Sequence, residues 1–282
     1  MTYREILLKE QYPFLGENGA DPMVKIYLRD NITEMNRSDW KHPCMVVCPG
    51  GGYSMCSHRE AEAIGVHFIP EGFNVFVIHY SGETFHFPTQ MREVAAVLDL
   101  IYCNAEKWHC DCNRIAMIGF SAGGHLVAQY ANQYGCTAVR EVFPKSLPVQ
   151  ATVLCYPVIT ALPNLRNTDS IVRVSGQKII TEEIIRTYSC ERMVTENTPP
   201  TFLWHTAEDT CVPVENSLLY ASALSANKVP FELHVYPYGP HGLATVDAQT
   251  NNRLSEKVSL AQEWLPAVKK WLQVTLEMEA TE

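Results

Sequence analysis

Residues 115–125 read Ile-Ala-Met-Ile-Gly-Phe-Ser-Ala-Gly-Gly-His, an apolar run joined to a helix-compatible run through one serine with a glycine two positions to either side. Few local patterns restrict a fold more. A G-x-S-x-G turn between a strand and a helix forces its serine into a strained, exposed position, and only small neighbours such as Gly119 and Gly123 let the backbone pass. The helix that follows, predicted over 122–134, aims its N-terminus at the serine, where its partial positive charge favours a developing oxyanion. Ser121 is therefore the candidate nucleophile. The competing reading is a glycine-rich packing turn with an incidental serine, and the rest of the chain has to decide between them by supplying partners.

Strand-like apolar runs occupy residues 3–8, 24–28, 44–48, 73–80, 115–120, 151–155, 201–206 and 231–236. Run 44–48 is continuously apolar, as a strand buried on both faces would be, and it ends abruptly in Pro49-Gly50-Gly51-Gly52-Tyr53. No helix is expected before residue 57. One is predicted over 57–71, with Gly72 closing it, and another over 89–108, where Val94, Val97, Leu98, Ile101, Tyr102, Ala105 and Trp108 recur at three- and four-residue steps. Further helices are predicted over 214–228 and within 255–276, where Pro266 starts a second helix or kinks the first. Eight strands with helices between the later ones predict an α/β fold with a mostly parallel sheet covered on both faces. Segments 137–149 and 159–199 take no assignment. The second is too long for a simple connection and reads as a small lid-like insertion in one domain spanning 1–282.

The net charge of -9 argues against nucleic acid or an anionic membrane surface as a partner, because both need clustered Lys and Arg. No run approaches the roughly 18 apolar residues of a membrane span, and the first ten residues lack the pattern of a secretory signal. The ten cysteines have no paired spacing and read as reduced, mostly buried thiols, so a cytoplasmic setting is expected. His109-Cys110-Asp111-Cys112 is read as part of a short connection, with no second ligand pair to complete a metal site. Neither metal nor cofactor is expected, a neutral small molecule is the expected partner, and self-association into a homo-oligomer is left open.

A serine hydroxyl is inert until a base takes its proton, and the base needs an acid that orients it and stabilises its charged form. In open parallel sheets such groups gather beyond the carboxyl ends of the strands. Asp209 follows run 201–206, and His241 follows run 231–236 within Tyr238-Gly239-Pro240-His241-Gly242. Glu208 is the neighbouring alternative to Asp209. Among the ten histidines, His241 alone lies in a Gly- and Pro-rich loop after the last strand; His205 and His234 fall inside strands, and His125 sits in the helix behind Ser121. The tetrahedral intermediate needs preorganised donors, for which the backbone N–H groups of Ala122, Gly51 and Gly52 are candidates. Tyr53, His58, Arg59 and Tyr80 admit either a substrate-facing or a scaffold reading.

Pro49-Gly50-Gly51-Gly52-Tyr53, Asp111 with Arg114, Gly119-Phe120-Ser121-Ala122-Gly123-Gly124-His125, Asp209 with Val212-Pro213, and His241-Gly242 together resemble the α/β-hydrolase superfamily. More narrowly, they are similar to its acetylxylan-esterase-like and hormone-sensitive-lipase-like esterases, over about residues 40–245. The order Ser, Asp, His along the chain is the order that architecture uses. The lipase-like branch begins its oxyanion loop with histidine where Pro49 stands here, and Ser57-His58-Arg59-Glu60 beyond it also resembles the acetyl-esterase-like branch. The resemblance implies an eight-stranded α/β-hydrolase fold and a serine esterase that removes acetyl or other short acyl groups from sugars or xylan-derived oligosaccharides, without a metal. The rivals are a general lipase-like carboxylesterase, a peptidase of the prolyl-oligopeptidase type, and a binding protein that has lost catalysis.

Overall fold

A computed structural model describes residues 1–35, 37–252 and 254–278. Eight strands form one sheet: β1 (Thr2–Leu7), β2 (Met23–Leu28), β3 (His42–Cys48), β4 (Asn74–His79), β5 (Cys110–Phe120), β6 (Ala151–Cys155), β7 (Thr201–Thr206) and β8 (Phe231–Tyr236). Their order across the sheet is β1-β2-β4-β3-β5-β6-β7-β8. The pairs β1/β2 and β2/β4 are antiparallel, and every later pair is parallel. Hence β3 and β5 to β8 all end at the same edge, and the loops that follow them meet there.

The central strands are largely apolar because both faces are covered. Side chains alternate across a strand. Cys44, Val46, Cys48, Ile115, Met117, Leu154 and Leu203 accordingly point into one core, while Met45, Val47, Ala116, Ile118, Phe120, Val153, Phe202 and Trp204 point into the other. The first core is roofed by α1 (Thr89–Cys103), α2 (Ala122–Gln133), α3 (Thr168–Ser175), α4 (Glu182–Tyr188) and α5 (Glu215–Ala226). The second is closed by α6 (Trp264–Thr275) together with the chain around residues 61–73.

Several boundaries differ from the expected ones. No continuous helix covers 57–71: a 3-10 turn at His58–Glu60 and a single α-turn at Glu62–Gly65 are separated by Ala61, whose φ of -101° and ψ of -112° lie outside the helical region. Glu60 turns inward there to meet backbone and Tyr156, which fixes the break. A short helix does precede residue 57, at Leu8–Gln11. Helix α1 ends at Cys103, not at residue 108; the N–H groups of Asn104 and Ala105 cap it by donating to the Leu100 and Tyr102 carbonyls, and Trp108 packs against Phe76 from the turn beyond. Cys110 and Cys112 belong to β5 itself, so the supposed connection at 109–112 is mostly strand. Pro266 sits in the first turn of α6, where its missing N–H has no intrahelical partner to lose. All ten cysteines are free thiols, but only Cys44, Cys48, Cys110, Cys155 and Cys190 are fully buried. Among the described residues no helix is long and apolar enough to cross a membrane.

Candidate active site

Ser121 stands between the end of β5 and the start of α2 with φ 53° and ψ -119°, a conformation that an L-residue adopts only under strain. The strain is held in place by backbone bonds: Ser121 N–H donates to the Cys155 carbonyl, and the Ser121 carbonyl accepts from Val158 and His125. Glycine is obligatory on either side. A Cβ on Gly119 would lie 2.3 Å from the Gly123 carbonyl oxygen, and one on Gly123 would lie 2.2 Å from that of Cys48.

The loops after β7 and β8 bring two more side chains to this turn. Nε2 of His241 lies 2.8 Å from Ser121 Oγ, and Nδ1 lies 2.6 Å from Asp209 Oδ2. Because the carboxylate can only accept, Nδ1 carries the proton and Nε2 is free to accept from the serine hydroxyl. The Asp209 side chain is fully buried, and its Oδ1 accepts from the N–H groups of Cys211 and Val212 at 2.9 Å each. Burial by itself would raise its carboxyl. Hydrogen bonds from His205 and His241, the charge of His241 and the Val212 N–H outweigh that and hold it well below the usual carboxylate range. Glu208 faces the other way, accepting from Gly239 N–H at 3.0 Å, so it shapes the loop that carries His241.

Gly51 and Gly52 have φ values of 127° and 63°, which only glycine adopts without cost. Among the described residues, the N–H groups of Gly51, Gly52 and Ala122 donate to no protein acceptor. The loop that carries the two glycines reaches the Ser121 turn at Gly50, where a Cβ would lie 3.0 Å from Ser121 Cβ. Tyr80 and Tyr53 are buried supports of this loop: Tyr80 Oη donates to the Pro49 carbonyl at 2.7 Å, and Tyr53 Oη donates to His125 Nδ1 at 2.8 Å. Nε2–H of His125 in turn donates to the Tyr188 carbonyl of α4 at 2.9 Å. Residues 159–199 also reach the loop from α3, where Arg173 donates to the Gly52 carbonyl at 3.2 Å. His58 and Arg59 are exposed.

Three residues that support the site were given no role in it by the sequence. Glu60 accepts from Gly50 N–H at 2.9 Å and from Tyr156 Oη at 2.7 Å. Tyr156 meets the His241 ring edge-on at 5.0 Å. His205, buried in β7, lies 3.3 Å from Asp209 Oδ2 while donating to the Val212 carbonyl at 2.9 Å. The one available signal was a polar residue inside an otherwise apolar or structural run, which does not say what it holds. Among the described residues no group of three His, Cys, Asp or Glu side chains is arranged to hold a metal ion.

The strand order, the strained serine after the fifth strand and the histidine after the last define an α/β-hydrolase, a class of enzyme in which this position is that of a serine nucleophile. The chain belongs to the BD-FAE family, whose model matches residues 30–224. It is 34% identical over 254 residues to endo-1,4-beta-xylanase B of Butyrivibrio fibrisolvens, covering 87% of this chain and 38% of that protein. It is 27% identical over 202 residues to an acetylxylan esterase of Xylanibacter ruminicola, covering 70% of this chain and 40% of the relative. The chain thus spans about two-fifths of the length of these relatives. Its structure is similar to that of an acetyl ester-xyloside bifunctional hydrolase from Caldicellulosiruptor lactoaceticus, with TM-score 0.80, 32% identity and 96% of each chain covered. A carboxylesterase from Lactobacillus plantarum matches at TM-score 0.83 with 27% identity over the full length of both. The solved structures that it resembles over nearly their whole length are named as an acetyl ester-xyloside hydrolase and a carboxylesterase.

Proposed function

We propose that this protein is a serine esterase that removes short acyl groups, acetyl foremost, from a sugar or a xylan-derived oligosaccharide. The observation that carries the reading is the unbroken hydrogen-bonded chain from Ser121 Oγ through His241 to the buried Asp209. Ser121 Oγ attacks the ester carbonyl as its proton passes to His241 Nε2, and the charge that develops on the carbonyl oxygen is met by the N–H groups of Gly51, Gly52 and Ala122. Collapse of that intermediate breaks the acyl C–O bond, and the departing alkoxide takes the proton back from Nε2. Water then repeats the sequence on the acyl-enzyme. Asp209 keeps His241 in the required tautomer and offsets the charge of its imidazolium form.

Two features support a short acyl group and a carbohydrate acceptor. Residues 159–199 press on the oxyanion loop through Arg173 and Ser170, which lie close to Gly52, as a small lid over the site in a single domain. An acetylxylan esterase is similar in sequence, and an acetyl ester-xyloside bifunctional hydrolase shares the fold. The free cysteines are in keeping with a reducing, cytoplasmic setting.

The test has two arms. Ser121→Ala should lower kcat on aryl acetate by about a thousandfold or more while the circular dichroism spectrum is unchanged. On the native enzyme, kcat/KM should be highest for aryl acetate and fall steeply by about the hexanoyl length, because a pocket closed after a few carbons rejects longer chains by steric clash. Acetate should also be released from acetylated xylo-oligosaccharides. Full turnover by Ser121→Ala overturns the nucleophile, a preference for octanoate overturns the short pocket, and cleavage of aryl acetate without any acetylated sugar overturns the carbohydrate assignment.

A further inference from the structure

We infer that Glu60 is a positioning residue that locks the oxyanion loop and the loop carrying His241 to one another, a role that rests on the esterase reading above. Its carboxylate is 3% exposed and lies beneath both loops. Oε2 accepts the N–H of Gly50, the residue next to the candidate oxyanion donor Gly51, and Oε1 accepts the hydroxyl of Tyr156. The same Tyr156 oxygen accepts the N–H of Ala244, three residues beyond His241, at 2.9 Å, while the Tyr156 ring rests against the imidazole. One carboxylate therefore holds the donor side of the reaction directly and the base side through a single tyrosine.

The packing leaves no slack in this arrangement. A Cβ on Gly50 would lie 2.5 Å from Glu60 Oε2, 2.8 Å from the Phe120 carbonyl oxygen and 3.0 Å from Ser121 Cβ. Carboxylate, oxyanion loop and nucleophile are in contact at that one point. A carboxylate suits the position because both of its oxygens accept and two donors converge on it. An amide offers one acceptor, so glutamine would satisfy Gly50 and turn its NH₂ toward the tyrosine oxygen, displacing the hydroxyl proton. Burial pushes the Glu60 carboxyl up, against the opposing effects of Tyr156, His241, Gly50 N–H and Arg59, with Tyr80 and Cys155 as the other titratable neighbours. No cation forms an ion pair with it among the described residues. For folding alone, a buried carboxylate without an ionic partner is a poor choice.

Charge appears on the oxyanion only as the reaction proceeds, so a loosened loop should reduce kcat and leave KM nearly unchanged. The experiment measures kcat, KM and thermal midpoint on aryl acetate for Glu60→Gln, Glu60→Ala, Tyr156→Phe and the Glu60→Gln/Tyr156→Phe pair. Loss of one preorganised donor is worth about a hundredfold or more, so Glu60→Ala should lower kcat by that order with KM within about threefold. Glu60→Gln, which keeps the Gly50 bond, should recover at least about tenfold of that loss. Because Tyr156→Phe already removes the contact that joins the two residues, the double variant should be no more than about twofold below Tyr156→Phe. Should Glu60→Ala fail to fold, the near-isosteric Gln and Phe variants carry the test. The inference is overturned if folded Glu60 variants keep kcat within twofold, if the whole loss is in KM, or if the Gln and Phe losses simply multiply. Failure of the esterase reading looks different: it appears as turnover that survives Ser121→Ala.

Discussion

Asp209 accepts three hydrogen bonds on its two oxygens, only one of them from His241, and His205 Nε2 lies 3.3 Å from Oδ2. The others fix the carboxylate before the base arrives. Cys211 and Val212 pin Oδ1 from within the same turn, and His205 approaches Oδ2 from β7. Replacing Asp209 by Asn keeps the shape but gives His241 Nδ1 either an NH₂ group that cannot accept or a weaker carbonyl, and the imidazole is no longer held in the tautomer that can take the serine proton. Asp209→Asn should lower kcat by about ten-thousandfold, as loss of the correct tautomer does elsewhere. Glu208→Gln, which disturbs a bond to the Gly239 backbone only, should stay within about tenfold. Steady-state kinetics of the two variants would assign the acid, and the reverse ranking would move the role to Glu208. At this scale the residues on loops were legible because their surroundings are polar or glycine-rich and their position after a strand end carries meaning. Glu60, Tyr156 and His205 were not. Their partners lie in other elements, 96 residues away in the case of Glu60 and Tyr156, and no local pattern records such a meeting.

At the scale of elements, strands proved more legible than helices because the central strands here are short, largely apolar runs, whereas helical steps of three and four also arise from successive turns. Trp108 continued the stripe of α1 after the helix had ended, and 57–71 carried a helical composition that an inward glutamate interrupts. Segment 159–199 resisted assignment since its two helices are short and are held largely by other elements: Asn216 of α5 accepts from Ile159 and Thr160 and donates to the Leu165 carbonyl. Helix α1 holds a further buried carboxylate. Glu93 accepts from the Ser81 N–H at 2.8 Å and the Ser81 hydroxyl at 2.6 Å, yet burial pushes its carboxyl up to about 7, against the pull of those two bonds. Between the ordinary carboxylate range and pH 7 the folded chain therefore binds a proton that the unfolded chain has released. Stability from this group is complete at low pH and is lost as pH rises through about 7, by up to about 3 kcal/mol. Glu93→Gln removes the titration, so it should be more stable than the native protein at pH 8 and comparable at pH 4.5. Urea midpoints at pH 4.5, 6 and 8 would measure the difference, and parallel curves for the two proteins would contradict it.

On the scale of the whole molecule, the two cores do different jobs. One face of the sheet carries the helices that approach the loop at 49–53, and the other carries the support of the His241 loop. That support is α6, whose Trp264 stacks on Trp204 of β7 with ring centroids 5.1 Å apart and an interplanar angle of 15°. Trp264 Nε1–H also donates to the Ala244 carbonyl at 3.1 Å, and Ala244 N–H is the group that Tyr156 accepts. Ala244 is therefore held on both sides of its peptide, with φ 51°, three residues past the base. The family match ends at residue 224, before β8, His241 and α6, so this half of the base's support belongs to the part of the chain outside it. Trp264→Ala removes a fully buried ring and should lower stability by about 3–5 kcal/mol. Trp264→Phe keeps an aromatic ring against Trp204 and loses the N–H, leaving a buried carbonyl short of its donor at a cost of about 1–3 kcal/mol. If α6 served the fold alone, kcat of the Phe variant well below its melting point would equal that of the native enzyme. Since the lost bond is one peptide from the tyrosine contact that sets His241, kcat should fall by about threefold to tenfold with KM unchanged, which a small displacement of a catalytic group is enough to cause. A Phe variant that melts earlier yet turns over at the native rate would confine α6 to the core and leave Tyr156, not Trp264, as the link from Ala244 to the imidazole.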